Sequence, residues 1–148
     1  MREPVRRRAL WAIAVASVAV VAIQFVPIDR TNPPVQTEVP ASPEVISVLR
    51  RGCYDCHSNE TSWPWYSRVA PVSWLIAYDV HEGRAAVNYS TWNALDPKQQ
   101  LDAIGESWEE VQHREMPPWY YLLLHWNAHL SAEDRAVLRE WSVSSRPP

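Results

Sequence analysis

The sequence predicts an all-α protein, in which a small helical domain follows a single membrane-spanning helix. One apolar segment near the N-terminus is long enough to cross a bilayer, and four later segments carry apolar residues at helical spacing. After the apolar segment, no stretch alternates apolar and polar residues over the length of a strand. The 148 residues include thirteen prolines and three glycines, which indicates one small domain with additional segments.

The first apolar segment covers residues 9–28 and follows a basic cluster in residues 1–8. Twenty helical residues extend about 30 Å, which matches the hydrocarbon core of a bilayer. The basic cluster is expected to stay in the cytoplasm, so the rest of the chain is predicted on the periplasmic side of a bacterial inner membrane. A signal peptide cleaved after Ala22 is the alternative, but the apolar residues continue to Val26. We therefore predict an uncleaved, single-pass anchor.

The charge of the chain is unevenly distributed. Residues 1–8 carry four arginines and one glutamate, a charge of +3, and the whole chain carries −3, so the remainder carries −6. That acidic remainder contains one lysine, Lys98. Proteins that bind nucleic acid present clustered basic residues on one face. Nucleic acid is therefore excluded as a partner, and the membrane is the predicted one.

A Pro-rich linker is predicted over residues 29–42, because its prolines block helix and favour extended chain. The folded domain is predicted over residues 43–145. Its first helix has Ser42 as N-cap, Pro43 as the first helical residue and Gly52 just past the end. This short helix leads directly to the first cysteine.

Three further helices complete the predicted domain. Residues 70–83 carry apolar side chains at helical spacing. The next helix begins with Asp96 as cap and Pro97 as the first helical residue. The last has Ser131 and Asp134 at the spacing of a capping box.

The two cysteines of the chain lie in Cys53-Tyr54-Asp55-Cys56-His57. Such a motif is used as a redox dithiol, as half of a zinc site, or for covalent haem attachment. A thioredoxin-type dithiol requires a βαβ setting, and a zinc site requires about four ligands, of which this motif offers three. Haem attachment requires a histidine directly after the second cysteine, as here. Residues three apart share one face of a helical turn, so both thiols can reach the two vinyl groups on one porphyrin edge. We predict one covalent haem c, with His57 as the proximal iron ligand.

Aromatic composition agrees with a haem site. There are nine tryptophans and one phenylalanine, and large flat side chains suit the wall of a flat macrocycle. The loops at residues 57–70 and 86–95 are long for a helical bundle, so something other than helix packing is expected to hold them. Ordinary core packing is the alternative for the tryptophans. The candidate pocket residues are Trp63, Trp65, Trp92 and Trp119.

Two arginines are candidates for the haem propionates. Arg68 and Arg84 carry guanidinium groups, which bind carboxylates through paired hydrogen bonds. The alternative is a surface salt bridge with Asp79 or Glu82.

Residues 53–93 and 115–141 resemble the bacterial haem-binding domain family, whose members carry one C-x-x-C-H motif after a membrane anchor. The family's W-P-W-Y-S run matches residues 63–67. Its V-x-x-G-R run followed by N-x-S-x-W matches residues 80–92. The resemblance implies haem binding and a cytochrome c-like fold, and it implies no particular substrate.

The distal face of the iron has one predicted thioether ligand. Met116 is the only methionine after the membrane segment, and it stands at the end of a helix before Pro117 and Pro118. Prolines stop the helix and stiffen the chain, so the side chain can be held toward an iron. A core methionine is the alternative reading of this residue. The competing ligands are His125 and His81, and a vacant or water-bound site is the third possibility.

These observations predict a membrane-anchored monohaem c-type cytochrome that transfers single electrons outside the cytoplasm. No acid–base pair or nucleophile constellation is evident, which favours an electron carrier over an enzyme. Its redox partner is expected to be a protein that the sequence does not name. The alternatives are a haem-based sensor with an open sixth site and a haem subunit of a larger respiratory complex. Rapid binding of carbon monoxide by the ferrous form would favour the sensor.

Overall fold

The computed structural model describes residues 3–146, and the regular elements among them are all helical, as predicted. Short 3-10 turns occupy Ile23–Phe25, Trp65–Arg68, Trp92–Ala94 and Trp126–Ala128. The α-helices are α1 (Glu3–Ala22), α2 (Pro43–Gly52), α3 (Tyr54–His57), α4 (Val72–Ala86), α5 (Pro97–His113), α6 (Trp119–Leu122) and α7 (Ala132–Ser144).

Helix α1 and the turn after it form an apolar helical segment, Pro4–Phe25, that is long enough to cross a membrane. The predicted span of residues 9–28 overlaps this segment but starts and ends later. Val26 has an extended backbone (φ −69°, ψ 118°). A residue that precedes proline is driven from helical to extended backbone by the proline ring, so Pro27 explains why the helix ends here.

The described chain forms two compact units. The smaller one contains residues 3–31 and 63–79, and the larger one contains Asn32–Ser62 and residues 80–146. The larger unit carries the C-x-x-C-H motif, and helix α4 runs through both units.

Part of the predicted linker, residues 29–42, belongs to the larger unit. The Thr37 amide donates to the Ser90 carbonyl at 3.2 Å, and the Val39 amide donates to the Tyr89 carbonyl at 3.2 Å. The Val39 side chain is 3% exposed and lies in the core. The packed domain thus begins at residue 32, before the predicted boundary, because prolines exclude helix but allow extended backbone to pair.

Helix boundaries follow the predicted caps. The Ser42 side chain accepts from the third amide of α2, although Gly52 is the last residue of that helix rather than the one after it. Asp96 and Gln99 form a capping box at the start of α5, which the sequence anticipated only as a cap. Ser131 and Asp134 form the predicted box, with the Asp134 amide 3.0 Å from Oγ of Ser131. Each box satisfies amides that no helical carbonyl can reach.

The core of the larger unit lies between α2, α5 and α7 and extends to α3. Buried apolar residues recur at helical spacing on each of these long helices, so each helix presents one face to the core. The core contains Val45, Val48, Leu49, Tyr54, Tyr89, Trp92, Ile104, Val111, Leu138 and Trp141. Because Tyr54 lies within the motif, this packing holds the C-x-x-C-H turn in place.

Candidate haem-binding site

The C-x-x-C-H motif forms a single helical turn at the end of α2. Cys53 lies between α2 and α3, and its amide donates to the Leu49 carbonyl at 2.8 Å. Its own carbonyl accepts from the amides of Cys56 and His57 at 3.1 and 2.9 Å. Both cysteines are half-buried, and no disulfide joins them. The turn therefore presents two thiols and an imidazole from consecutive positions of one helical turn.

His57 is held at its ring and at its backbone by the chain that follows α4. Its Nδ1 lies 3.2 Å from the Val87 carbonyl oxygen, and its own carbonyl accepts from the Tyr89 amide at 2.8 Å. When Nδ1 carries the hydrogen, it donates to Val87 and leaves the Nε2 lone pair for a metal. Burial lowers the pKa of His57, although hydrogen bonding to the backbone of Val87 and Gly83 opposes this shift. The neutral imidazole, which is the form that can bind a metal, is thus favoured.

The burial of Cys53 does not favour a redox dithiol. Burial raises the pKa of the Cys53 thiol to about 12, whereas reactive dithiols depend on a lowered cysteine pKa. Among residues 3–146, no group of three or more histidine, cysteine or acidic side chains is arranged to hold a metal ion. The structure therefore supports neither the dithiol nor the zinc alternative.

Helix α4 packs directly against the motif at Gly83. A Cβ at this position would lie 2.7 Å from the carbonyl oxygen of Cys56 and 3.0 Å from its Cβ. Real Cβ atoms do not approach backbone so closely, so glycine is required for this contact. The resemblance marked this glycine within a V-x-x-G-R run, and the structure supplies its physical reason.

Gly83→Ala is expected to lower the haem content of the purified protein severalfold and to destabilise it by about 1–3 kcal/mol, as overpacking does. The added methyl would push α4 away from the turn and loosen the bond between Val87 and His57. Haem per polypeptide and thermal unfolding would be measured on the same samples. Gly105→Ala in α5 is the matched control, because no atom lies within 4 Å of its added Cβ. Wild-type haem content and stability in Gly83→Ala would contradict the requirement for close packing.

Arg84 organises the loop that follows the motif. Its Nε donates to the Ser58 carbonyl at 2.8 Å, and its Nη2 donates to Oγ1 of Thr61 at 2.9 Å and to Oδ1 of Asn32 at 3.0 Å. These contacts give Arg84 a structural role, and its predicted propionate contact stays a prediction. The same contacts hold the first half of the loop at residues 57–70 without helix packing.

The aromatic candidates differ in their surroundings. Trp92 is 3% exposed and stacks on Tyr89 with ring centroids 6.2 Å apart, and Tyr89 stacks on Tyr54 at 5.7 Å. Trp92 therefore packs in the core, which is the alternative that the sequence left open. Trp119, on α6, is 73% exposed.

The remaining pocket candidates belong to the smaller unit. Trp63 is half-buried, whereas Trp65 and Arg68 are exposed. Trp65 packs edge-on against Tyr66, with ring centroids 5.7 Å apart. The roles predicted for these three residues toward haem stay predictions.

Met116 lies in a turn that packs against the end of α2. Helix α5 ends at His113, the backbone of its C-cap Arg114 is left-handed (φ 64°), and Met116 follows half-buried. A Cβ at Gly52 would lie 3.6 Å from Cγ of Pro117. Since Gly52 directly precedes Cys53, Pro117 lies near the start of the motif, and the role of Met116 as distal ligand stays a prediction.

The alternative histidine ligands have local partners. His81 is exposed, and its Nδ1 lies 3.2 Å from the Glu82 carboxylate. His125 is half-buried and stacks on Tyr121 with centroids 3.8 Å apart, and its Nδ1 lies 2.9 Å from the Tyr121 carbonyl. His129 is exposed and stacks on Trp126.

Sequence reasoning missed one residue pair at the site. The Tyr121 hydroxyl donates to Oδ2 of Asp55 at 2.7 Å, and the Ser62 amide donates to Oδ1 of the same carboxylate at 2.9 Å. An acidic residue between two cysteines is a signal that something must satisfy its charge. Its partner is 66 residues away, so no local pattern identifies it.

Comparison with known proteins agrees with this site. The chain is 31% identical over 108 residues to "Cytochrome c peroxidase Ccp" of Escherichia coli (strain K12), and the match covers 70% of this chain and 23% of that relative. The chain thus spans about a quarter of the relative's length. No solved structure matches the chain. The family model described as a haem-binding domain matches residues 18–144, which is most of the chain, so this chain belongs to the haem-binding domain family and binds haem.

Proposed function

We propose that the protein is a membrane-anchored monohaem c-type cytochrome that carries single electrons outside the cytoplasm. The observation that carries the proposal is the single turn with Cys53, Cys56 and His57, in which Nδ1 of His57 lies 3.2 Å from the Val87 carbonyl. Two thiols and a histidine in this order are the donor set of a covalently attached haem.

The residues of the turn fit this cofactor. Cys53 and Cys56 would hold the macrocycle by thioether bonds, His57 would bind the iron on the proximal side, and Met116 would bind on the distal side. When bound, haem supplies a reversible ferric–ferrous couple, which is the chemistry that electron transfer needs.

The protein's own part is to keep the turn rigid. Tyr54 is 3% exposed, lies between the two cysteines and stacks on Tyr89, which is also buried. Tyr89 in turn donates through its amide to the His57 carbonyl at 2.8 Å. A close-packed surrounding resists changes of geometry. The ligand set is therefore expected to move little between oxidation states, which favours rapid electron transfer.

The similarity to a cytochrome c peroxidase supports a haem domain, but it does not support peroxidase activity for this chain. The matched part is 23% of that relative. Most of that relative lies outside the match, so electron transfer by the shared domain is the function that we propose.

The anchor is tested by fractionation of cells that express the chain. The haem-staining polypeptide is expected to stay with membranes after a carbonate wash, because the helix Pro4–Phe25 is long and apolar enough to cross a membrane. Added protease should reach its C-terminus from the periplasmic side, as the basic cluster predicts. A soluble, haem-stained periplasmic form whose N-terminus is Ile23 would instead identify a cleaved signal peptide.

A further inference from the structure

One half-buried tyrosine connects the distal side of the proposed site to the attachment turn. The distal segment, residues 116–125, contains both Met116 and His125. Within it, the Tyr121 hydroxyl donates to Oδ2 of Asp55 at 2.7 Å. Asp55 stands between the two cysteines, so this bond links the segment that carries Met116 and His125 to the turn that carries His57.

Both oxygens of the Asp55 carboxylate have partners. Oδ2 accepts from Tyr121, and Oδ1 accepts from the Ser62 amide at 2.9 Å. Hydrogen bonds to an ionised carboxylate are about twice as strong as bonds between neutral groups. Burial raises the pKa of Tyr121, and its bond to Asp55 raises it further, so the phenol keeps the proton that it donates.

Tyr121 also fixes its own segment. Its amide donates to the Pro118 carbonyl at 3.1 Å, its ring stacks on His125, and its carbonyl lies 2.9 Å from Nδ1 of His125. Pro117 packs near Gly52 at the start of the same segment. The segment is therefore attached to the motif at two points, and Tyr121 provides the polar one.

We propose that Tyr121 is a positioning residue for the sixth iron ligand, acting through its hydrogen bond to Asp55. The inference rests on the proposed function, because it assumes a haem on Cys53 and Cys56 with Met116 on its distal side. A thioether is a weak ligand, so its occupancy depends on how firmly the segment that carries it is held. Without the bond, the distal segment moves away more often and exposes the iron.

The test uses the full-length ferric holoprotein and imidazole as the competing ligand. Tyr121→Phe removes only the hydroxyl and keeps the ring that stacks on His125. We expect unchanged haem content, a tenfold or greater rise in apparent imidazole affinity, and a weaker near-infrared sulfur-to-iron band. A bond to a charged group contributes about 1.5–3 kcal/mol, and 1.4 kcal/mol corresponds to a tenfold change. Tyr78→Phe, at an exposed tyrosine, is the control and should match the wild type.

A double-mutant comparison tests the route. If Tyr121 acts through Asp55, adding Tyr121→Phe to Asp55→Ala should not raise the imidazole affinity further. If the effects of the two substitutions on imidazole affinity are additive, Tyr121 does not act through Asp55.

The outcomes separate the inference from the proposed function. If the imidazole affinity of Tyr121→Phe is within twofold of the wild type, while Met116→Ala raises that affinity tenfold or more, the inference on Tyr121 is overturned and the proposed function is not. A wild-type chain without covalent haem overturns both. Asp55→Asn keeps an oxygen that can accept the Tyr121 hydrogen bond. If both Tyr121→Phe and Asp55→Asn lose haem, the pair is needed to assemble the turn, and a role at the sixth ligand is overturned.

Discussion

Replacing Cys53 and Cys56 together with serine is expected to remove all of the haem that stays with the polypeptide through denaturing electrophoresis. Only thioether bonds survive denaturation, and these two residues supply the two thiols of the chain. Coordination by His57 alone would be lost when the protein unfolds. A haem stain of the gel, normalised to the amount of polypeptide, measures the effect.

Each single substitution is the natural control for the pair. Cys53→Ser and Cys56→Ser each leave one thiol, so part of the stain should remain. Complete extraction of haem from the wild-type protein by acidified acetone would contradict covalent attachment. Stoichiometric zinc in a haem-free protein would support the zinc alternative instead.

Met116→Ala is expected to leave the haem attached, to convert the iron to a high-spin form and to lower its reduction potential. A thioether raises the potential, so its loss shifts the equilibrium toward ferric iron. The wild-type ferric protein should show the weak near-infrared sulfur-to-iron band, which the variant should lack. Redox titration and absorption spectra of the two proteins provide the measurement.

Carbon monoxide distinguishes the remaining possibilities at the iron. The ferrous wild type should bind it slowly and Met116→Ala should bind it rapidly, because the substitution vacates the sixth position. Rapid binding by the wild type would favour a sensor. If the wild type lacks the sulfur band and only His125→Ala or His81→Ala creates high-spin iron, a histidine is the ligand and the assignment to Met116 is wrong.

Local patterns were sufficient for the capped starts of three helices. Ser131 and Asp134 lie three residues apart, and a capping box depends only on that spacing and on the backbone of the same turn. Asp96 with Pro97 set the start of α5 for the same reason. Cys53, Cys56 and His57 likewise lie within one helical turn, so their joint use could be inferred from their order alone.

Contacts between distant parts of the chain required the tertiary structure. Val87 reaches the ring of His57 from 30 residues away, and Tyr121 reaches Asp55 from 66. The burial of Trp92 in the core is of the same kind.

The sequence by itself therefore predicted the chemistry of the site, namely which residues can bond to haem, and it determined the apolar helix that precedes them. Only the tertiary structure decided what surrounds that chemistry. It revealed that Gly83 lets α4 approach Cys56, and that the predicted linker is part of the fold from residue 32 onward. The physical reason is range: caps and helical turns form between residues a few positions apart, whereas packing depends on which distant surfaces meet when the whole chain folds.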